Sequence, residues 1–193
     1  TYDDLLEATS RFAGVLRNLG VSSGDRVVIY MPMIPQTVVA MLACARIGAV
    51  HSVVFGGFAP AELSARIDDA HPTIIVTASC GIEPTRIVEY KPLVDAAIEM
   101  SSHKPERVVV LQRPQATAEM GERDVDWDTA YASAPSVDAV SVVATDPLYI
   151  LYTSGTTGKP KGIVRDNGGH AVAMAWSFGN VYGMNPGDVW WSA

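Results

Sequence analysis

The sequence predicts an α/β fold, a doubly wound, mostly parallel sheet with flanking helices. Three observations lead there. The runs Arg26–Tyr30 (RVVIY) and Arg107–Leu111 (RVVVL) are apolar at successive positions, the mark of strands covered on both faces. Segments of helical periodicity, each about ten residues long, alternate with such runs. The loops between them are short, so each helix carries the chain back across the sheet to a parallel neighbour.

Taken in order, Leu5, Ala8, Phe12, Val15, Leu16 and Leu19 keep a helical period that ends at Gly20. Ser23-Gly24-Asp25 makes a turn into the first strand, which Pro32 and Pro35 bound. Gln36 to Ile47 reads as a helix stopped by Gly48, and Val50 to Phe55 as the next strand, closed by a Gly56-Gly57 turn. Pro60 opens a helix over Ala61 to Asp69, since proline costs nothing at a first helical position. Thr73 to Thr77 is a strand, Leu93 to Met100 a helix, and Leu148 to Tyr152 a later buried strand. Residues 112–145, rich in Ala, Ser, Asp and Pro, break the rhythm and are expected to wander over the surface. The chain opens at a helix start and closes on Val189 to Ala193, an apolar strand-like run. It therefore reads as a fragment of a larger domain.

Composition narrows the function. Of 193 residues, 48% are hydrophobic and 18% charged, the balance of a globular domain with a core. Fourteen Lys and Arg face 21 Asp and Glu, a net charge of −7, which repels phosphate backbones and argues against nucleic-acid binding. Any anion site must be local. Cys44 and Cys80 lie far apart with no metal-like spacing and read as buried apolar thiols in a reducing compartment. The longest apolar stretch, near Val38 to Ala45, is too short to span a bilayer, and no signal peptide is visible. The localisation expected is cytoplasmic, or the mitochondrial matrix in a eukaryote.

The chemistry is concentrated after Tyr152, in Thr153-Ser154-Gly155-Thr156-Thr157-Gly158-Lys159-Pro160-Lys161-Gly162. Glycines let successive backbone N–H groups converge on one anion. The hydroxyls of Thr153, Ser154, Thr156 and Thr157 add donors, and Lys159 and Lys161 add charge, so the run suits a polyphosphate. A flexible Gly/Thr linker is the bland alternative. A Walker loop is excluded, because Thr153 stands where its first glycine belongs and Pro160 follows Gly158-Lys159, offering neither N–H nor hydroxyl.

YTSGTTGKPKG is similar to the phosphate-binding signature of the adenylate-forming superfamily of acyl-CoA synthetases, peptide-synthetase adenylation domains and luciferases. The stretches Ile29 to Pro35 and Met41 to Phe58 resemble its short-chain acetyl- and propionyl-CoA synthetases. Arg165-Asp166 and Gly81 to Arg86 look more like the propionyl type, while His170 departs from the tyrosine usual in acetyl-CoA synthetases. The resemblance spans the chain and implies a partial N-terminal AMP-binding domain over residues 1–193. It implies activation of a short-chain carboxylate by Mg-ATP to acyl-adenylate and pyrophosphate, then transfer to CoA. Acetate in place of propionate, and a noncatalytic nucleotide-binding paralogue, stay open as alternatives.

The resemblance also assigns residues. Thr153, Ser154, Gly155, Thr156, Thr157, Gly158, Lys159 and Lys161 match the ATP phosphate loop. Glu83, Pro84, Thr85 and Arg86 match a CoA-binding loop, although Glu83 stands where acetyl-type enzymes often show arginine, and a solvated surface arginine is the competing reading of Arg86. Gly56 and Gly57 either line the CoA groove or form a plain strand-to-helix turn. Ala193 falls in the CoA wall and Trp191 in the acyl-pocket wall, where a core aromatic is the competing reading. His51, His71 and His103 default to structural or surface roles. The adenine, ribose and magnesium motifs and the family's catalytic lysine are expected downstream, so the fragment alone is expected to be inactive, and no metal ligand is assigned within it.

Overall fold

The computed structural model describes residues 1–153 and 160–191. Helix α1 (Tyr2–Asn18) starts on a capping box in which the Thr1 side chain accepts from Asp4 N–H and the Asp4 carboxylate bonds back to Thr1. There follow β1 (Arg26–Met31), α2 (Pro35–Arg46), β2 (Val50–Phe55), α3 (Pro60–Ala70), β3 (Ile74–Ala78) and the small hairpin β4 (Cys80–Ile82) and β5 (Ile87–Glu89). The rest is α4 (Tyr90–Met100), β6 (Arg107–Leu111), β7 (Asp124–Asp126), α5 (Trp127–Ser133), β8 (Pro147–Thr153), β9 (Lys161–Asp166) and α6 (Asn167–Asn180).

The main sheet runs β7-β6-β3-β1-β2-β8-β9, with β9 antiparallel to β8 and every other pair parallel. Side chains alternate across it. Val27, Ile29, Ile74, Val76 and Val109 pack toward Phe12 and Leu16 of α1, Ala43 of α2 and Trp127 of α5. Val28, Tyr30, Ile75, Val108 and Val110 pack toward Leu63 and Ile67 of α3 and Val94 and Ala97 of α4. Central strands buried on both faces are what the continuous apolar runs predicted. The mostly parallel, doubly wound arrangement holds as expected. Cys44 and Cys80 are buried free thiols.

Four expectations need correction. Residues 112–145 do more than wander, for β7 extends the sheet and Trp127 is 4% exposed, stacked on Phe12 at 3.8 Å between ring centroids. The Asp-Val-Asp composition of β7 hides it because Asp124 is buried against a lysine rather than solvated. β8 is only partly covered, with Leu151 exposed, since β9 is a short antiparallel edge and α6 buries none of its residues. Residues 189–191 form no strand. Trp190 instead stacks near Phe178 (5.5 Å) and Tyr182 (5.2 Å), and Val189 and Trp191 face outward. Finally, α6 itself was not foreseen; Asp166 caps it by accepting from Gly169 N–H at 2.8 Å.

Among the described residues no helix is long and apolar enough to cross a membrane. His51 on β2 is buried, with Nδ1 lacking a hydrogen-bond partner among the described residues and Tyr149 packed at 5.5 Å. Burial, and then the charge of His170, lowers its pKa to about 4. The unfolded chain takes up this proton near 6.5 and the folded one only near 4, so protonation favours unfolding. The stability held at neutral pH is therefore expected to fall as pH drops from 6.5 to 4. Thermal midpoints across that window, compared with a His51→Asn variant, check this: the variant's slope should be flatter.

Candidate functional site

The carboxyl ends of β1, β2 and β8 meet at a groove of about 870 Å³. It opens there because α2 leaves β1 onto one face of the sheet while α3 leaves β2 onto the other, so the connecting loops part. Pro32, Met33 and Ile34 form one wall, Phe55, Gly56 and Phe58 another, and Leu151, Tyr152 and Thr153 the third. Thr153 and Pro160, at the two ends of the predicted phosphate loop, both line it. Thr153 pairs across the β8–β9 hairpin with Lys161, which is exposed. Ser154, Gly155, Thr156, Thr157, Gly158 and Lys159 lie outside the described residues, as does Ala193.

The predicted CoA loop is the tip of the β4–β5 hairpin. Glu83 N–H donates to the Arg86 carbonyl at 2.9 Å, and Arg86 Nε donates to Glu83 Oε2 at 2.7 Å. Arg86 is 69% exposed at the side chain, and its ion pair with Glu83 is a surface one. Glu83 and Ile82 reach the groove. The Gly56–Phe58 loop is held from below by Tyr30, whose hydroxyl accepts from Gly57 N–H at 3.0 Å and donates to the Phe58 carbonyl at 2.8 Å.

The two glycines act differently in this loop, and Gly56 lines the groove. Gly57 takes a φ of +101° and makes the turn, while Gly56 admits a close neighbour: a Cβ there would lie 2.6 Å from the Tyr90 hydroxyl. Gly81 faces the other side of the same ring, so Tyr90 is wedged between the two loops. Burial, with the Glu83 charge, pushes the Tyr90 hydroxyl pKa up, and Arg113 opposes that. Glu83, Gly56 and Gly57 are thus brought together. Trp191 is 80% exposed and does not line the groove.

Sequence reasoning missed two arginines here. Arg113, just past β6, donates from Nη1 to the Cys80 carbonyl at 3.0 Å and lines the groove. Arg66 lines it from α3, with its side chain only 8% exposed. The available signal was its place in the apolar stripe of that helix, among Leu63, Ile67 and Ala70, where a solvated arginine does not belong.

Another concavity of about 870 Å³ lies at the amino ends of β6 and β7, walled by Lys91, Asp95, Lys104 and Arg123. It holds none of the predicted residues; Lys91 pairs there with Asp95 and Asp124, while Lys104 and Arg123 donate to backbone carbonyls. Ligands of open α/β sheets bind at carboxyl ends.

Residues 1–193 match the AMP-binding enzyme family along their whole length. The chain belongs to that family. It is 55% identical to human acyl-CoA synthetase short-chain family member 3, mitochondrial, over all of this chain and 28% of the relative. It is 47% identical to the acetyl-coenzyme A synthetase of Laribacter hongkongensis, over 99% of this chain and 30% of that one. Acetoacetyl-CoA synthetase from Streptomyces lividans shares the fold at a TM-score of 0.87 and 30% identity, covering 97% of this chain and 29% of the neighbour. The chain thus spans under a third of the length of these relatives. As an AMP-binding chain it has the mixed, mostly parallel sheet expected of such an N-terminal domain fragment.

Proposed function

We propose that these 193 residues are part of the N-terminal domain of a longer AMP-forming ligase that activates a short-chain carboxylate, propionate first. In the first step a carboxylate oxygen attacks the α-phosphorus of ATP, the bond to the bridging oxygen breaks, and pyrophosphate leaves with the negative charge. In the second, the CoA thiolate attacks the acyl carbon and AMP departs. The observation that carries this reading is the hydroxyl- and glycine-rich run after β8, whose flanking residues Thr153 and Pro160 line the crevice at the strands' carboxyl ends.

Thr153 to Lys159 and Lys161 are proposed to hold the β- and γ-phosphates, supplying preorganised donors where charge develops. Magnesium would arrive with ATP. Its carboxylate ligand is proposed to lie elsewhere in the enzyme. Glu83 to Arg86, Gly56, Gly57 and Ala193 are proposed on the CoA side, and Trp191 on the acyl side.

Propionate-dependent exchange of labelled pyrophosphate into ATP by the whole enzyme tests the first step; no exchange with propionate, acetate or butyrate rejects it. Arg86→Ala should leave that exchange unchanged and raise the KM for CoA about tenfold, the scale of one charge-assisted contact. Acetate is the second reading, favoured by the match to an acetyl-coenzyme A synthetase. Turnover on the three acids decides, since one methylene is worth about 1–3 kcal/mol in a pocket.

A further inference from the structure

Glu62, Arg66 and Asp69 stand at i, i+4 and i+7 on α3, one face of the helix turned to the β8–β9 hairpin. Arg66 Nη1 donates to Glu62 Oε2 at 2.9 Å, which fixes the guanidinium. That guanidinium lies 5.0 Å from the centroid of the Phe58 ring and 5.6 Å from that of the Tyr152 ring. The Tyr152 hydroxyl donates to Asp69 Oδ2 at 2.6 Å, a tie between residues 83 apart in the chain. Burial, and then this bond, pushes the Tyr152 hydroxyl pKa well up, so the phenol stays a donor. Across the hairpin, Gly162 is the register partner of Tyr152. A Cβ on Gly162 would lie 3.1 Å from Tyr152 Cε1 and 3.4 Å from Asp69 Oδ2, so glycine there makes room for the ring.

Tyr152 immediately precedes the phosphate loop, and Phe58 ends the Gly56–Phe58 loop. One arginine therefore touches the roots of two loops that enter the groove from different strands. We propose that Arg66 is a positioning residue that, through its cation–π contacts with both Phe58 and Tyr152, holds the root of the phosphate loop in fixed relation to the CoA-side loop. The Asp69–Tyr152 bond ties down the second of those rings. A core arginine kept only for stability would need no aromatic partner on either loop. As a catalytic statement the inference rests on the ligase reading above; as a statement about loop position it stands on geometry alone.

The test uses the whole enzyme carrying Arg66→Met, Arg66→Lys, Tyr152→Phe or Asp69→Ala. Backbone hydrogen exchange is read at Phe58, Leu151–Thr153 and Lys161–Gly162, with β6 as the internal reference. Arg66→Met should speed exchange at both loop roots and not in β6. It should also raise the KM for ATP in pyrophosphate exchange and for CoA in the full reaction, each about tenfold, the scale of a desolvated cation–π contact. Arg66→Lys should recover only part, because a compact ammonium cannot span to both rings while bonding Glu62 as a planar guanidinium does. Tyr152→Phe removes the donor and Asp69→Ala the acceptor of the same bond, so each alone and both together should raise the KM for ATP equally while sparing that for CoA. These changes carry the test should Arg66→Met not fold.

Faster exchange spread evenly over β6 and both roots, or unchanged KM values in folded variants, overturns the inference. A wild-type enzyme with no acid-dependent exchange rejects the ligase reading instead, and the hydrogen-exchange pattern still decides the positioning.

Discussion

Thr156→Val in the whole enzyme is expected to slow acid-dependent pyrophosphate–ATP exchange by about 10²-fold, the loss typical of one donor aimed at a developing charge. Valine keeps the shape of threonine and removes only the hydroxyl. If that hydroxyl bonds the phosphates more strongly as pyrophosphate leaves than in bound ATP, kcat should fall further than KM rises. Exchange kinetics at varied ATP separate the two. A variant with native kcat and only a raised KM would show that Thr156 binds the ground state alone, and wild-type kinetics throughout would remove it from the proposed phosphate site. The chain's net charge of −7 sharpens the expectation, for little in its general field favours a polyphosphate and local donors must supply the attraction.

A stability effect of similar weight is expected outside the groove lining. Lys91 and Asp124 are 5% and 0% exposed at their side chains and pair at 2.8 Å, with Lys91 also held by the more exposed Asp95 at 2.7 Å. Asp124 Oδ2 accepts in addition from Gly121 N–H at 2.6 Å, whereas Oδ1 has no partner among the described residues. Lys91→Met should cost about 3–5 kcal/mol, because it leaves a buried carboxylate uncompensated. Urea unfolding measures it. Lys91→Met combined with Asp124→Leu should recover most of the loss, since a buried pair is worth far less than its broken half costs.

The pH dependence of this pair has a definite sign. Desolvation alone would lower the Lys91 pKa, but the bonds to Asp124 and Asp95 outweigh it and hold the ammonium above the ordinary 10.5. With the folded value raised, the contribution is complete below 10.5 and is lost as pH rises through the raised value. Alkaline melting should therefore be shallower in Lys91→Met than in the native protein.

Most strands and helices of the first 111 residues were legible because their pattern is local: β-branched runs between turn residues, with Pro60 opening α3. What escaped was set by distant partners. β7 reads as a polar loop until Lys91 from α4 neutralises Asp124, and Trp127 looks like any loop aromatic until Phe12 of α1 stacks on it. The proposed phosphate loop rests on residue chemistry in the sequence. Arg113 gave no such signal, and for Arg66 the apolar stripe of α3 marked its burial but not its partners, since an arginine's role depends on which rings and carbonyls it meets.

By itself, the sequence determined the alternation of elements and the clustering of hydroxyls, glycines and lysines in residues 153–161 from which a polyphosphate site is proposed, because backbone propensity and side-chain donors are properties of neighbours in the chain. Only the tertiary structure decided that Tyr90 would wedge between Gly56 and Gly81, and that Asp69 would reach Tyr152. Those meetings follow from the opposite faces taken by α2 and α3 on leaving β1 and β2, a choice made by burial of both sheet faces at once and written in no single segment.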